Sequence, residues 1–507
     1  MRIALLQGRV RSDRPTDNLE FIKAALNSKE LHGVELAVFP QLCLSGRLGR
    51  SALERPGVEI QYEKAWEDLL ELSTAKGGIA LASTRIRFHE DGQVTEEAFV
   101  VKGGKVMYKK SRPSDDDEDW PHLLLGGLKI RLVPGRKTLP PQAMNGVDVV
   151  ISFRTRLFQG APFMPPAPGP AACWRLNVSA VGGDGPFIYD GATCVFDPAG
   201  ELKGWANGFD NTTIILDTNS SSLPTIKPLP VREPIEVLYN ALKTGLRDYI
   251  RVNSSGKVVL GLSGGMDSAL VAALAVDALG AENVLGVAMP SEYNAPESLN
   301  LARELAKKLS IKFMTIPIDG VREAFTRSFM LVPKGDEKEG NLADENIQAR
   351  IRGVLLMYIS NREDRFVLAT GNKSEAAMGY ATLYGDTCGA IAPIGDVYKT
   401  RVYELAEYIN REKEVIPAGI ITRPPSAELR PDQKDEDSLP PYDLLDDILH
   451  RHLEGKQSGS RVAKEGGHSA ITVAWVLSSY KKAAFKRAQM PFALVASTKP
   501  LSGLDWV

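Results

Sequence analysis

A glycine-containing loop between a predicted strand and a predicted helix constrains the fold of this chain more than any other segment. Val258–Leu262 is apolar enough for a central strand, and residues 263–268 then read Ser-Gly-Gly-Met-Asp-Ser. Gly264 and Gly265 permit positive φ angles and close backbone approach, so that successive N–H groups can point at one anion. A helix that begins at Asp267 adds the positive end of its dipole. The segment therefore predicts a phosphate-binding loop.

Strands and helices alternate around this loop at short spacing. The predicted elements are a helix at Ile235–Val252, a strand at Lys257–Leu262, a helix at Asp267–Leu279, a strand at Val284–Met289, a helix at Pro296–Leu309 and a strand at Lys312–Ile318. Such an order predicts βαβ units and a doubly wound parallel sheet, because right-handed crossovers place the helices on both faces. Ligands of these sheets bind at the carboxyl ends of the strands.

The loop lacks the Gly-Lys-Ser/Thr of the Walker pattern. Its six residues instead resemble the loop of the ATP pyrophosphatase family, whose members cleave ATP between the α- and β-phosphates to adenylate a substrate oxygen. The resemblance implies an ATP-dependent ligase that releases AMP and pyrophosphate. It assigns ATP binding in this region to Gly261, Ser263, Gly264, Gly265, Asp267 and Ser268.

Several later strings resemble NAD synthetase within that family: residues 345–352, 370–375, 379–386, 397–400, 425–436 and 486–489. This resemblance implies that ATP adenylates the nicotinate carboxylate of nicotinic acid adenine dinucleotide (deamido-NAD). Ammonia then attacks the acyl-adenylate to give NAD. Further ATP contacts are expected at Thr370, Lys399 and Ser426, and catalytic roles at Asp267, Lys399 and Lys373.

The resemblance also assigns a magnesium site and a dinucleotide site. Asp267 and Glu375 are the expected ligands of Mg2+, which prefers hard oxygen atoms and would bridge the triphosphate. Residues expected to contact deamido-NAD are Asn346, Arg350, Arg352, Glu375, Tyr384, Asp386, Lys486 and Arg487. An exposed basic pair is the alternative for the last two. NAD synthetase relatives dimerise through this domain, so a homo-oligomer, a dimer or higher, is expected.

The first part of the chain alternates short apolar runs with amphipathic segments, which predicts a layered α/β sandwich. The strings at residues 3–7, 38–46 and 182–191 resemble the nitrilase fold that supplies ammonia in glutamine-dependent NAD synthetases. Residues 217–234 shift to Ser, Thr and Pro, as interdomain linkers do. We therefore expect a nitrilase-like domain at 1–216, a linker at 217–234 and a ligase domain at 235–507.

The nitrilase family uses a Glu–Lys–Cys triad in which the cysteine is the nucleophile and the glutamate its base. Gln41 stands at the glutamate position, and a carboxamide cannot serve as that base. Lys109 fills the lysine position, with Lys110 as the alternative. The nucleophile is expected within residues 129–136, which contain no cysteine. The resemblance thus implies a vestigial glutaminase and a ligase that uses free ammonia or ammonia from a separate glutaminase.

Three alternatives stay open. An active glutamine-dependent enzyme would need a relocated nucleophile, although Cys43 and Cys173 fit core packing better. A non-catalytic, nucleotide-binding regulator would result if both domains had decayed. A ligase of the same superfamily that makes GMP or asparagine would normally lack a counterpart of residues 345–352. Measuring pyrophosphate release separates the regulator from the enzymes.

Composition excludes some further classes of protein. Charged residues make up 24% of the chain and the net charge is -2, which argues against a dominant nucleic-acid or anionic-membrane surface. No run approaches the ~18 apolar residues of a membrane span. The four cysteines are widely scattered, without a C-x-x-C pair. The pattern predicts a cytoplasmic protein without structural disulfides or zinc.

Overall fold

The structure is a computed structural model that describes residues 1–76, 78–89, 91–111, 120–135, 141–161, 171–206, 208–219, 233–329, 342–430 and 433–501. The Cα atoms divide into two compact units. One contains Met1–Asp184 and Ile188–Glu233, and the other contains Gly185–Phe187 and Pro234–Val507. Most of the expected linker, residues 220–232, lies outside the described ranges.

The first unit is built mainly of strands. They are β1 (Arg2–Gln7), β2 (Leu36–Val38), β3 (Ala80–Phe88), β4 (Val94–Lys102), β5 (Lys105–Ser111), β6 (Leu123–Leu125), β7 (Leu128–Pro134), β8 (Val149–Phe153), β9 (Trp174–Val178), β10 (Val181–Asp184), β11 (Phe187–Asp190), β12 (Thr193–Phe196), β13 (Leu202–Ala206) and β14 (Thr212–Asp217). The helices are α1 (Pro15–Leu26), α2 (Arg50–Leu53) and α3 (Val58–Ala75).

Two six-stranded sheets organise this unit, in the orders β14-β1-β2-β3-β4-β5 and β13-β12-β9-β8-β7-β6. Strand β1 shows why both faces of the first sheet are covered. Ile3 and Leu5 belong to a core shared with strands of the second sheet, such as Ile151 of β8. Ala4 and Leu6 belong to a separate core with α1 and α3. Because successive side chains of the apolar run at residues 3–6 point to opposite faces, both faces of the sheet are covered, as the predicted α/β sandwich requires.

The second unit alternates helices and strands before it becomes helical. Its elements are α4 (Pro234–Asn253), β15 (Val258–Gly261), α5 (Met266–Leu279), β16 (Val284–Ala288), α6 (Pro296–Lys308), β17 (Lys312–Thr315), α7 (Asp319–Phe329), α8 (Leu342–Glu363), β18 (Phe366–Val367), α9 (Lys373–Met378), α10 (Lys399–Asn410), α11 (Ala418–Thr422), α12 (Tyr442–Leu453), α13 (Gly459–Gly466), α14 (Ala470–Lys482) and α15 (Ala484–Arg487).

Strands of the second unit form one parallel sheet in the order β17-β16-β15-β18, so the predicted doubly wound sheet is confirmed. Val259 in β15 pairs with Leu285 in β16 on one side and with Val367 in β18 on the other. Ile351 and Ile359 of α8 pack against this sheet. β17 ends at Thr315, earlier than Lys312–Ile318 predicted. β15 lies inside the sheet and its sequence is apolar, as expected for a strand that is buried on both faces.

A helical cluster beyond the sheet supports the elements that follow β18. Ala377 of α9 packs with Leu445 and Leu449 of α12 and with Val473 of α14. This core packs α9 against α12 and α14. Separately, none of the described helices has the length and hydropathy needed to cross a bilayer.

Candidate active site

A cavity of about 310 Å³ lies at the carboxyl ends of the parallel strands. Its walls include Gly261 at the end of β15, Ala288 at the end of β16 and Ala369 just after β18. This is the edge at which ligands of open parallel sheets bind. The loop at 263–268 forms one wall.

The geometry of this loop requires glycine at position 264. Gly264 has a φ of +81°, and a Cβ there would lie 2.3 Å from the carbonyl oxygen of Ser298. The Ser263 and Ser268 hydroxyls lie 3.1 Å apart, and the Ser268 hydroxyl also donates to the carbonyl of Gly265 at 3.0 Å. The loop is therefore folded tightly onto the first turn of α5.

We expect Gly264→Ala to lower the free energy of unfolding by about 1–3 kcal/mol, because both φ and the contact with Ser298 oppose a side chain. Gly261→Ala is the matched control. Its Cβ would meet only the ends of two side chains, Met289 Cε at 3.4 Å and Leu356 Cδ1 at 3.8 Å. Urea unfolding of both variants provides the measurement. Equal stability of the two variants would show that the loop tolerates a side chain.

Three charged side chains meet beside the loop. The Lys399 ammonium pairs with Asp267 Oδ2 and lies 3.9 Å from Glu375 Oε1. Lys399 is 2% exposed, whereas the two carboxylates are each 18% exposed. All three side chains line the cavity. One buried cation thus holds two carboxylates at the rim of the phosphate loop.

Asn372 positions both carboxylates, although the sequence did not assign it a role. Its Nδ2 donates to Asp267 Oδ1 at 2.9 Å, and its Oδ1 accepts from the Glu375 N–H at 3.0 Å. The Asn372 N–H in turn donates to Glu375 Oε2 at 3.2 Å, which completes a capping box at the start of α9. The Asn-x-x-Glu spacing at a helix start is the signal that could have revealed it.

The helices that carry Glu375 and Lys399 are tied together by Asp446, on α12. Asp446 is 5% exposed. It accepts hydrogen bonds from the Ser374 hydroxyl and from the Thr400 N–H, the latter at 2.9 Å. The Ser374 hydroxyl also accepts from the Lys399 N–H at 3.0 Å. Residues distant in sequence therefore fix the separation of the charged groups.

Burial and charge shift the pKa values of this cluster. Burial, reinforced by the charge of Asp267, raises the pKa of Glu375 to about 8, and Lys399 opposes this shift. Burial alone would lower the pKa of Lys399, but Asp267 and Glu375 outweigh it and raise that pKa. Lys399 therefore remains an ammonium at neutral pH.

The donor set suits a magnesium ion shared with phosphate. Asp267 and Glu375 provide hard carboxylate oxygens that face the cavity. Within the described residues, no group of three or more His, Cys, Asp or Glu is arranged to hold a metal. Mg2+ commonly binds through one or two carboxylates plus substrate phosphates and water. The two residues therefore fit the ion only together with a bound triphosphate.

Glu375→Gln should change how stability depends on pH. The folded-state pKa of about 8 lies above the ordinary value of 4.5. Between these values the folded chain keeps a proton that the unfolded chain releases, so this carboxyl makes the free energy of unfolding fall as pH rises. The variant lacks that contribution. Urea unfolding from pH 5 to pH 8 should show stability shifting in favour of the variant; parallel curves would contradict the raised pKa.

All residues predicted for ATP and metal line this cavity, together with three predicted dinucleotide residues, one of which, Glu375, is also a predicted metal ligand. Those that line it are Gly261, Ser263, Gly264, Gly265, Asp267, Ser268, Arg352, Thr370, Glu375, Asp386, Lys399 and Ser426. The Ser426 hydroxyl donates to the Gln433 carbonyl and accepts from the Glu428 N–H at 3.1 Å. It therefore also shapes its own loop.

Arg352 is held by a polar network at one end of the cavity. It donates to the Met289 carbonyl at 3.0 Å and to Asn294 Oδ1 at 3.1 Å. Burial lowers its pKa to about 10. The Glu428 carboxylate accepts from Asn294 at 2.8 Å and from the Ser298 hydroxyl at 2.7 Å. Asn294, Ser298 and Glu428 are cavity residues that sequence reasoning missed.

Three predicted dinucleotide residues instead hold the loop at 379–387. Asn346 accepts from the Thr382 hydroxyl at 2.8 Å, and Arg350 donates to the Leu383 carbonyl at 3.2 Å. Lys486 donates to two carbonyls of the same loop, at 2.8 and 2.7 Å. None of the three lines the cavity. Their contacts support Asp386, whose Oδ1 accepts from the Thr382 N–H at 2.6 Å.

The remaining two predicted dinucleotide residues also lie off the cavity wall. Tyr384 is 64% exposed, has a φ of +63°, and donates to Gln489 Oε1 at 2.5 Å. Arg487 is 8% exposed, donates to the carbonyls of Ala377 and Tyr480, and lies 4.1 Å from the Tyr480 ring centroid. The alternative of an exposed basic pair does not describe Arg487, since it is buried.

Lys373 does not line the cavity, so the structure gives no support to its expected catalytic role. Its ammonium is fully buried and lies 3.0 Å from Asp396 Oδ1 and 3.1 Å from Glu454 Oε1. It also donates to the Ser497 hydroxyl at 2.7 Å. The side chain points away from α9's cavity-facing carboxylate and joins the C-terminal segment to α12. Its role in the structure is to anchor α9.

In the first unit, Gln41 is saturated with hydrogen bonds. Its Nε2 donates to both oxygens of Glu96, at 2.9 and 3.0 Å, and its Oε1 accepts from the Thr155 N–H at 2.9 Å. A glutamate at position 41 would place a second carboxylate against Glu96 and lose two donors. The surroundings are therefore adapted to a carboxamide.

The pairing of β5 with β4 favours Lys110 over Lys109 as the lysine of the nitrilase-type triad. Lys109 is opposite Phe99, which packs in the core with α1 and α3. Lys110 is opposite Ala98, which belongs to the core between the sheets. Glu96, the partner of Gln41, shares the face of Ala98 because it is two residues away on β4. The register therefore favours Lys110, the alternative given from sequence, over Lys109, because a shift of one residue reverses the face.

No thiol occupies the expected nucleophile position. Residues 129–135 run along β7 and its end, and Arg136 lies outside the described ranges. The three cysteines of this unit are buried. Burial raises the pKa of Cys43 to about 12 and that of Cys194 to about 12, and also raises the pKa of Cys173. Thiols in such surroundings are inert as nucleophiles.

Comparison with known proteins adds independent evidence. A family model described as NAD synthase matches residues 238–490. A glutamine-dependent NAD(+) synthetase from Thermotoga maritima is 42% identical, over 96% of this chain and 94% of that protein. A protein of the same name from Synechocystis sp. is 34% identical, over 93% of this chain and 92% of that one.

Solved structures of similar length share the fold. The glutamine-dependent NAD+ synthetase of Acinetobacter baumannii, solved in complex with ADP, is 27% identical and covers 99% of this chain and 97% of its own, with a TM-score of 0.75. The glutamine-dependent NAD(+) synthetase of Cytophaga hutchinsonii covers 100% of this chain and 97% of its own, with a TM-score of 0.80 at 19% identity. Both units of the chain are thus present in these structures.

Proposed function

The chain belongs to the family of glutamine-dependent NAD(+) synthetases, and we propose that it is a NAD synthetase that uses free or externally supplied ammonia. Its ligase unit takes ATP, deamido-NAD and ammonia and releases NAD, AMP and pyrophosphate. The observation that carries the ligase assignment is the phosphate loop at 263–268 beside Asp267, Glu375 and Lys399 in one cavity.

These residues act mainly by position and charge. The loop offers backbone N–H groups and a helix N-terminus to the triphosphate. Lys399 is placed to neutralise charge that develops on the departing pyrophosphate. Mg2+, held by Asp267 and Glu375, would add charge neutralisation and fix the orientation of the phosphates. No protein nucleophile is needed, because the nicotinate carboxylate attacks the α-phosphorus and ammonia later displaces AMP.

The proposal that the ligase uses free or externally supplied ammonia rests on the first unit. The relatives are named glutamine-dependent, whereas this chain has Gln41 in place of the base and no cysteine at residues 129–136. Gln41 is bound to Glu96, and Cys43, Cys173 and Cys194 are buried with raised pKa values. Without a reactive thiol, a glutamyl thioester cannot form.

Pyrophosphate release tests the ligase proposal. The purified chain, with ATP, Mg2+, deamido-NAD and ammonium, is expected to release one pyrophosphate and one AMP for each NAD formed. Omitting deamido-NAD should abolish release. Binding of ATP without release under the complete conditions would instead support the non-catalytic regulator.

Alkylation tests the glutaminase proposal separately. A chloroketone analogue of glutamine modifies an activated cysteine, so we expect no stoichiometric adduct on Cys43, Cys173 or Cys194 by mass spectrometry of the native protein. Unfolding in urea should expose the same thiols to iodoacetamide as a positive control. Selective labelling of one native cysteine would identify a relocated nucleophile and refute the proposal.

The expected homo-oligomer, formed through the ligase domain, and the cytoplasmic location stay predictions. Light scattering coupled to size exclusion measures the first. The domain bounds 1–216, 217–234 and 235–507 likewise stay proposals, for which limited proteolysis near residues 217–234 is the direct test.

A further inference from the structure

The carboxylate of Glu428 joins two segments of the cavity wall. It accepts hydrogen bonds from Asn294 Nδ2 at 2.8 Å and from the Ser298 hydroxyl at 2.7 Å, both at the start of α6 or just before it. It also pairs with the Arg423 guanidinium, which donates in turn to the Ser298 hydroxyl. The Glu428 side chain is 14% exposed and lines the cavity. One carboxylate therefore connects the segment that follows α11 to α6.

The backbone of Glu428 adopts a conformation that L side chains rarely take. Its φ is +48°, in the left-handed region that glycine occupies without strain. Such conformations persist where surrounding contacts over-determine them, and they concentrate at binding and active sites. The contacts here are the three partners of the carboxylate and the Glu428 N–H, which donates to the Ser426 hydroxyl at 3.1 Å. Glycine would fit this backbone better, so the carboxylate has a role that the turn alone does not explain.

Ser298 connects this carboxylate to the phosphate loop. It is 2% exposed, and its carbonyl oxygen lies so close to Gly264 that a Cβ on the glycine would be 2.3 Å away. The side chain of Glu428 therefore holds the residue against which the phosphate loop packs. Its main-chain N–H holds the hydroxyl of Ser426, which is an expected ATP contact. One residue thus acts on two parts of the expected ATP site.

We propose that Glu428 is a positioning residue for ATP and that it does not bind ATP itself. This inference rests on the proposed function. A carboxylate repels the triphosphate, and the oxygens of this one already accept from Asn294, Ser298 and Arg423. Glu428 instead holds α6 against the phosphate loop and keeps Ser426 in place before ATP binds. A wall that is already ordered loses less entropy on binding, so ATP binds more tightly.

Glu428→Gln and Glu428→Gly test the carboxylate in the full chain. Glutamine keeps the size of the side chain and the left-handed strain but removes the charge, whereas glycine relieves the strain and removes the side chain. We expect the Kd of α,β-methylene-ATP, measured with Mg2+ by titration calorimetry, to rise about 10-fold in both variants, because charge-assisted hydrogen bonds are lost. Glu297→Gln is the matched control, since Glu297 is exposed beside Ser298 on α6; its Kd should equal that of the wild type.

Two further measurements separate positioning of ATP from a general loss of structure. In steady-state assays of both variants, the KM for ATP should rise with the Kd of the analogue, whereas the KM for deamido-NAD should stay near the wild-type value. The double variant Glu428→Gln/Ser298→Ala should bind the analogue about as well as Glu428→Gln alone. Its two changes remove the same contact, so their effects should not add.

Three results would overturn the inference. Wild-type affinity in Glu428→Gly would show that the carboxylate serves only to hold a strained turn. An equal rise in KM for both substrates would show a general structural role. Tighter binding in either variant would show that Glu428 withholds Arg423 from the phosphates. Failure of the wild type to release pyrophosphate would refute the proposed function instead, while calorimetry with the analogue would still test Glu428. Glu428→Gly, which relieves backbone strain, keeps the test valid if Glu428→Gln does not fold.

Discussion

Replacing Asp267 with asparagine is expected to slow pyrophosphate release by about 10³-fold or more. The carboxylate is the proposed metal ligand closest to the phosphate loop, and metal ions contribute several kcal/mol of charge stabilisation in such transition states. The change also leaves the buried Lys399 ammonium without its ion pair. Single-turnover release of labelled pyrophosphate from ATP, with deamido-NAD present, measures the effect directly.

Asp277→Asn is the matched control for this experiment. Asp277 lies on the same helix, α5, but is 49% exposed and pairs with Lys243 rather than with any cavity residue. Its replacement should leave release unchanged. An Asp267→Asn enzyme that retains more than a tenth of wild-type activity would remove Asp267 from the chemistry, whatever its effect on stability.

The two buried lysines, Lys399 and Lys373, are predicted to differ in function: Lys399 contributes to catalysis and Lys373 only to stability. Lys399→Met should reduce the rate of adenylation by about 10²- to 10³-fold, because a positioned cation near the departing pyrophosphate is lost. The variant also leaves Asp267 and Glu375 together without a buried counterion. Breaking such an arrangement costs about 3–5 kcal/mol of stability.

Lys373→Met provides the comparison. Lys373 is equally buried and lies near two carboxylates, those of Asp396 and Glu454, so its loss should destabilise the fold by a similar amount. Adenylation by the molecules that remain folded should stay within a few-fold of wild type. Urea unfolding measures the stabilities, and stopped-flow pyrophosphate release at low temperature measures the rates. A selective loss of chemistry in Lys373→Met would restore the catalytic role expected from sequence.

Much of the ligase site could be predicted because its signals are local. The glycines of residues 263–268 and the apolar strand before them determine the phosphate loop within a single βαβ unit. Thr370 and Glu375 follow the next relevant strand, β18, and strands of a parallel sheet end at a common edge. The sequence therefore predicted these residues at one cavity without knowledge of any long-range contact.

Contacts between distant segments could not be predicted in the same way. Lys373 lies within two residues of Glu375, yet its side chain is held by Asp396 and Glu454, which only the folded chain brings near. Arg350 and Lys486 have the charge to bind phosphate, but loop carbonyls use their donors. Asp446 gave no signal, because its role depends on the packing of α12 against α9 and α10.

In the first unit, the sequence could not show which face of strand β5 each lysine side chain occupies. Lys109 and Lys110 are equivalent by composition, and only the pairing of β5 with β4 shows that Lys110 shares a face with Glu96. The replacement at Gln41 was visible in sequence, whereas its hydrogen bonds to Glu96 were not. Those bonds show that Gln41 fits its surroundings as a carboxamide.

The nitrogen source tests the central claim most directly. NAD formation by the purified full-length chain should be measured with ammonium or glutamine as the sole nitrogen donor, alongside release of glutamate. We predict turnover with ammonium, none above background with glutamine, and recovery with glutamine when a separate glutaminase is added. Efficient NAD formation from glutamine by this chain alone, with one glutamate released per NAD, would contradict the claim.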